Sequence, residues 1–253
     1  MAGQDRSAQS MLLSSMISGL FLICAVATIF AAFHIEPTDA RCDRLTYPWS
    51  PMMDIVKYRW ETFENHQFSI KTPYFGFEPT DELEETWNAL LPEHPIAVPS
   101  SRLESLGQID AADDAAWIRN PQDKDSVLAL PEYAVQLGCL NFLRQLGYRS
   151  NHKFSYLRSF QGDDSIIWER SYQCIERLRH AIMCWADVGP ITLFYNDHPT
   201  TVEGYVRDVS FDFGTLHYCR NFDAINEWTK DNAVTEVKMN NLWWGGSSAE
   251  ERV

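Results

Sequence analysis

The sequence predicts a mainly α protein in which one N-terminal transmembrane helix precedes a lumenal helical domain with loop-rich insertions and a few short strands. Three observations carry this. Met11 to Phe33, MLLSSMISGLFLICAVATIFAAF, is an uncharged run, and about 23 residues at about 1.5 Å each exceed a bilayer core of about 30 Å. Two later stretches repeat apolar residues at helical spacing. The chain of 253 residues is 45% apolar with only 12 Gly and 12 Pro, enough to build a core rather than remain disordered.

Taken in order, residues 1–10 are a short cytosolic tail and 11–33 the span. A cleaved signal peptide is the competing reading, but its apolar region normally covers about 7–15 residues after a basic start, and Arg6 is the only basic side chain ahead of this run. Basic residues on the two sides (Arg6 against Arg41, Arg44 and Lys57) do not fix the topology. Large domains translocate regardless of loop charge, and five cysteines follow the span, so the remainder is placed in the lumen of the secretory pathway. Residues 34–51, polar and proline-marked, read as a stalk, and 52–240 as the folded domain.

Within that domain Asp81 and Glu84 read as a helix start leading into Leu83, Trp87, Leu90 and Leu91. Residues 92–128 read as loop. Pro131 opens a helix carrying Ala134, Leu137, Leu140, Leu143 and Leu146, and Gly147 ends it. A second helix is expected from about Asp164 to Asp187, with Ile167, Cys174, Ile175, Leu178, Ile182 and Trp185 as its apolar stripe. Ile191 to Tyr195 and Val202 to Phe213 alternate like short strands, Asp223 to Asn232 reads as a last helix, and 241–253 as a flexible tail.

Lys plus Arg number 21 against 35 Asp plus Glu, a net charge of −14, which excludes a nucleic-acid partner. There is no His-Glu-x-x-His, phosphate loop, Gly-x-Ser-x-Gly or dinucleotide fingerprint. What stands out is an echo. Cys139-Leu-Asn-Phe-Leu-Arg144 and Cys174-Ile-Glu-Arg-Leu-Arg179 share Cys, aliphatic, two variable, Leu, Arg, 35 residues apart on the two helices. Either two core stripes with snorkelling arginines or a pseudo-symmetric pair around a pocket accounts for it.

These stretches, together with YPWSPMMDIVKYRWETF, KTPYFGFEPTDELEETWNALL and HYCRNFDAINEW, resemble the UstYa-like proteins of fungal mycotoxin biosynthesis. The resemblance implies a single-pass membrane protein with a lumenal helical domain that tailors peptide- or polyketide-derived intermediates by oxidative cyclisation, hydroxylation or related steps. It also implies a metal-competent His-x-x-His-Cys ahead of each repeat. Here the first motif reads Val135-Gln-Leu-Gly138-Cys139 and the second Arg170-Ser-Tyr-Gln173-Cys174, so all four imidazoles are absent. No cofactor is therefore expected, copper or iron entering only if the chain is an oxidase with other ligands.

Other candidate groups follow from residue type. His217 and Cys219-Arg220 match the family's His-x-Cys-Arg block, and His217 has the unperturbed pKa range for proton transfer near neutrality, although packing beside a disulfide is the bland alternative. His180 either faces the same cavity or solvent. Asp187 matches a family acidic position just after the second helix, and either pairs with Arg144, Arg179 or Arg220 or orients a catalytic group. Arg170, a fixed cation in a histidine position, either polarises a substrate carbonyl or pairs with Glu169 or Asp164. Cys139, Cys174, Cys184 and Cys219 either form disulfides or leave a free nucleophile. The other histidines, His34, His66, His94, His152 and His198, form no ligand pair by spacing.

The expected role is a membrane-anchored tailoring protein of fungal secondary metabolism. Its reaction is expected to be a cyclisation or other redox-neutral rearrangement, with a UstYa-like oxidase and a non-catalytic partner of a histidine-bearing relative as alternatives. Its expected partners are a small-molecule intermediate, the membrane, and a second copy or a UstYa-like relative.

Overall fold

The computed structural model describes residues 2–34, 38–63, 72–107, 117–195, 209–212 and 214–237. The expected tail over 241–253, residues 202–208 and 213 of the expected strand, His66 and His198 lie outside the described residues. The chain divides into two units, residues 1–46 and 47–253.

The first unit holds two helices. α1 (Ala2–His34) contains the Leu13–Ala32 segment, 20 residues long and apolar enough to cross a membrane, none of it buried within the protein. α2 (Asp39–Thr46) lies where an irregular stalk was expected; Asp39 in its first turn and Arg44 in its last complement the helix dipole.

The second unit starts at Tyr47, and the stalk assignment is corrected here too. Tyr47 stacks on Trp185 at 5.1 Å, and Trp49 packs against the buried cluster of Val98, Leu103 and Val127. β1 (Tyr58–Thr62) was not anticipated: it reads YRWET, with mixed burial and no clean alternation to mark it. α3 (Asp81–Asn88) is capped by Thr80, whose hydroxyl accepts from the Leu83 amide at 3.2 Å, and its first turn is acidic. Leu83 is buried against Gly76, where an added Cβ would sit 3.0 Å from Leu83 Cδ2.

β2 (Ile96–Pro99) and β3 (Ser126–Ala129) form an antiparallel pair from Ile96↔Ala129 to Pro99↔Ser126, so residues 92–128 are more than loop. Val98 and Val127 face each other and hold the cluster around Trp49, Leu106 and Trp117. The chain returns to this pair at its far end, where the Val234 amide donates to the Pro95 carbonyl at 2.8 Å.

α4 (Glu132–Leu146) is preceded by Pro131 and ends at Gly147, as its pattern predicts. Its apolar stripe is not the whole of its buried surface. Leu140 is 42% exposed while Asn141 and Gln145 are buried, because α4 uses two faces. Cys139, Phe142, Leu143 and Leu146 pack toward Ile167, Cys174 and Leu178 of α5 (Asp164–Cys184), whereas Asn141 and Gln145 reach polar partners that lead to α3. Ile167 and Cys174 of α5 are buried as expected, but Ile175, Ile182 and Trp185 are 47%, 71% and 51% exposed. α5 therefore buries a stripe only over its first half, and it ends three residues before Asp187.

β4 (Thr192–Tyr195) and β5 (Val209–Asp212) pair antiparallel. β6 (Leu216–Arg220) crosses back to β1 with register Tyr58↔Arg220, Glu61↔His217 and Thr62↔Leu216. This pairing joins segments more than 150 residues apart and leads directly into α6 (Phe222–Asp231), whose N-cap Asn221 accepts from the Ala224 amide.

Candidate functional site

The two repeated motifs lie on neighbouring helices, and their cysteines are joined. Cys139 and Cys174 form a disulfide, with Cα atoms 5.0 Å apart and both residues buried. The four other motif positions diverge. Gly138 lines a cleft on the α3 side of α4, Gln173 is exposed on the outer face of α5, and Val135 carries no donor atom. A pocket enclosed between the repeats was expected; the helices instead close on one another through the disulfide and Phe142, and the cleft opens on the opposite side of α4.

Arg170 lies against the turn that precedes α5. Its guanidinium Nη1 donates to the carbonyls of Arg158, Ser159 and Gln161 at 3.2, 3.0 and 2.8 Å. It thereby ties the 158–160 turn to α5, and burial, followed by the neighbouring Arg158 charge, pulls its pKa below the usual arginine value. A rigid planar donor matches such a turn of converging oxygens.

The donors at these positions do not fit a metal ion. Valine and glycine side chains offer none, a guanidinium only donates, and the two cysteines have given their thiols to a disulfide. Among the described residues no three His, Cys, Asp or Glu side chains cluster as a ligand set.

His217 and Asp187 come together. His217 Nδ1 lies 2.7 Å from Asp187 Oδ2, the imidazole side chain only 12% exposed. β6 places His217 opposite Glu61 of β1, and the Phe63 ring just beyond β1 stacks on the imidazole at 4.0 Å and 13°. Asp187 sits in the turn after α5, where its other oxygen accepts from the Gly189 amide at 2.7 Å. That bond first, and the His217 contact second, hold the carboxyl below the usual aspartate range. Of the partners weighed for Asp187, none of the three arginines is the one it meets.

The remaining candidates are structural or exposed. Arg144 pairs with Glu84 at 2.6 Å, the two side chains 16% and 12% exposed, and lies over the Trp87 ring at 5.0 Å. Arg179 binds Glu176 at 2.7 Å, and the exposed His180 lies 2.9 Å from Arg179, so His180 does not join His217. Arg220 lies over Tyr47 at 4.5 Å and Trp185 at 5.4 Å. Cys184 and Cys219 are free thiols; Cys219 follows His217 on the same strand face, and burial pushes its thiol pKa up. His94 Nδ1 meets the Val237 carbonyl at 3.0 Å.

Sequence reasoning missed Phe63, Asn141 and Gln145. Phe63 lies at the end of an unrecognised strand. The two amides had a signal, polar residues four apart on a helix where an apolar face was sought.

The family model described as "Mycotoxin biosynthesis protein UstYa" matches residues 3–232. The chain belongs to the UstYa family. A UstYa family oxidase, phomYc, of Diaporthe leptostromiformis is 29% identical over 83% of this chain and 80% of that protein. A second from the same fungus, phomYc', is 27% identical over 91% of this chain and 80% of its own length. Transacylase cctO of Talaromyces islandicus is 26% identical over 87% of this chain and 75% of that protein. No solved structure matches. The relatives thus carry UstYa family oxidase names in two cases and a transacylase name in the third.

Proposed function

We propose that this UstYa-family protein catalyses a redox-neutral ring closure or acyl rearrangement of a secondary-metabolite intermediate, anchored by α1 with its second unit in the lumen. The observation that carries the reading is the His217–Asp187 pair. A carboxylate fixed by a backbone amide holds an imidazole in one tautomer and orientation, the arrangement that makes histidine an effective proton shuttle. His217 takes the proton from an attacking N–H or O–H as the new acyl bond forms and returns it to the departing heteroatom. The proton is conserved and no electron leaves the substrate.

Phe63 covers one face of the imidazole, while exposed Trp60 and Tyr218, 4.8 Å apart, lie on the opposite face of the same β1–β6 ribbon. Catalysis then rests mainly on holding a flexible intermediate in a reactive conformation. Arg170 is given no part in the step; its Nη1 donates to turn carbonyls. The transacylase name of one relative supports this reaction class, and the disulfide suits an oxidising lumen.

The oxidase names of the two phomYc relatives favour oxidative tailoring as a second reading. Both are tested by incubating the purified full chain in detergent with the intermediate that accumulates when the gene is deleted. The expected product is an isomer or the intermediate less water, with His217→Gln lowering kcat roughly 100-fold or more. A product lighter by two hydrogens or heavier by one oxygen overturns the redox-neutral reading, and absence of turnover by the purified chain transfers support to a role as partner of a catalytic relative.

A further inference from the structure

Away from His217, a cleft of about 980 Å³ runs between the α4 face bearing Gly138, Asn141, Phe142 and Gln145, the C-terminal end of α3, residues 157–159 and the end of α6. Its size is that of a ligand site. Asn141 and Gln145 are only 5% and 6% exposed, so their remaining accessible surface belongs to the cleft they line.

The buried ion pair behind them sets which end of each amide faces outward. Arg144 Nε and Nη2 donate to Asn141 Oδ1 at 3.0 and 2.8 Å, and a guanidinium has no acceptor, so this end of Asn141 is the oxygen. Gln145 Nε2 donates to Glu84 Oε2 at 2.9 Å, and a carboxylate only accepts, so this end of Gln145 is the nitrogen. The opposite ends follow: Asn141 turns an NH2 donor and Gln145 a carbonyl acceptor toward the cleft, and neither has a hydrogen-bond partner among the described residues. Both atoms keep access to solvent in the cleft, where a ligand with the converse groups can take the place of water.

One turn of α4 separates the two groups. An extended peptide residue presents its own C=O and N–H on one edge, the pattern by which strands exchange paired hydrogen bonds. The rest of the wall carries Glu85 and Glu93 against Arg158 and Lys230, no net formal charge, and Phe142 supplies an apolar floor. Glycine at 138 leaves the same face without a side chain beside the amides.

We propose that this cleft binds an uncharged, extended secondary-amide segment, its carbonyl accepting from Asn141 Nδ2 and its N–H donating to Gln145 Oε1. Arg144 and Glu84 are positioning residues that hold both amides in the reading orientation. The site lies apart from the His217–Asp187 pair and stands whether or not the proposed reaction is correct.

The test is an NMR titration of the full chain in detergent micelles with N-acetylleucine methylamide and with the acetoxy analogue in which the residue N–H is replaced by oxygen. The amide is expected to bind at least roughly tenfold more tightly than the ester. Asn141→Asp keeps an oxygen for Arg144 while exchanging the cleft donor for an acceptor, so it should weaken amide binding by a similar factor with an unchanged melting temperature. Equal affinity for amide and ester, no binding of either, or full affinity in a stably folded Asn141→Asp chain overturns the proposal. Because binding is read without turnover, its failure leaves the acid–base reading intact.

Discussion

At the level of single residues, Asp187 owes its low pKa first to the Gly189 amide and only then to His217. Replacing His217 by Gln should therefore return the carboxyl only part of the way toward the usual aspartate range, a difference readable by carboxyl-carbon NMR across an acid titration. The sign for stability follows. A group whose folded pKa is depressed contributes above its unfolded pKa and loses that contribution as pH falls through the folded value, so the turn after α5 should hold through mildly acidic conditions and release only below the ordinary aspartate range. His217 and Asp187 were each legible through the family resemblance, but their contact was not, since a partner 30 residues away leaves no mark in spacing. Arg170 was not: a cation at a substituted position looks the same on paper whether it faces substrate or three carbonyls, and only the path of the 158–161 turn decides between them.

Among the elements, α4 and α5 were legible from their period and the end of α4 from Gly147, whereas their faces were read incompletely. A stripe of leucines marks where apolar contact is possible, but α4 carries a second buried face made of Gly138, Asn141 and Gln145, whose amides depend on Arg144 of the same helix and on Glu84 of α3. β1 and β6 escaped notice for a related reason, since a two-stranded ribbon with exposed aromatics on both strands lacks the alternation that marks a half-buried strand. The disulfide binding the two helices closes a loop of 35 residues, which in the loop-entropy picture stabilises the fold by roughly 4 kcal/mol. Cys139→Ser combined with Cys174→Ser should lower the denaturant midpoint accordingly, and reductant should reproduce the loss in the parent chain but add nothing to the double variant.

For the whole molecule, two units with opposite solvent preferences share one chain. Leu13–Ala32 is apolar and unburied, while the net charge of −14 resides almost wholly beyond it. The full chain should stay with the membrane fraction after alkaline carbonate washing and move to the aqueous phase when residues 1–46 are removed; a mature N-terminus found near residue 34 in the native host would show a cleaved leader instead. Fold class and family were legible at this scale because hydropathy and motif order survive substitution. The cleft was not, since it is assembled from α3, α4 and α6 and from turns with no shared sequence signature.

The covalent clamp between α4 and α5 also bears on where this chain can mature. A ribosome delivering it into a thiol-reducing cytosol makes both helices but withholds the bond that fixes their register, so recombinant yield becomes a question of oxidative machinery as much as of codon choice or detergent. The same dependence makes the first encounter of Cys139 with Cys174 a maturation checkpoint, passed only after the second helix has left the ribosome.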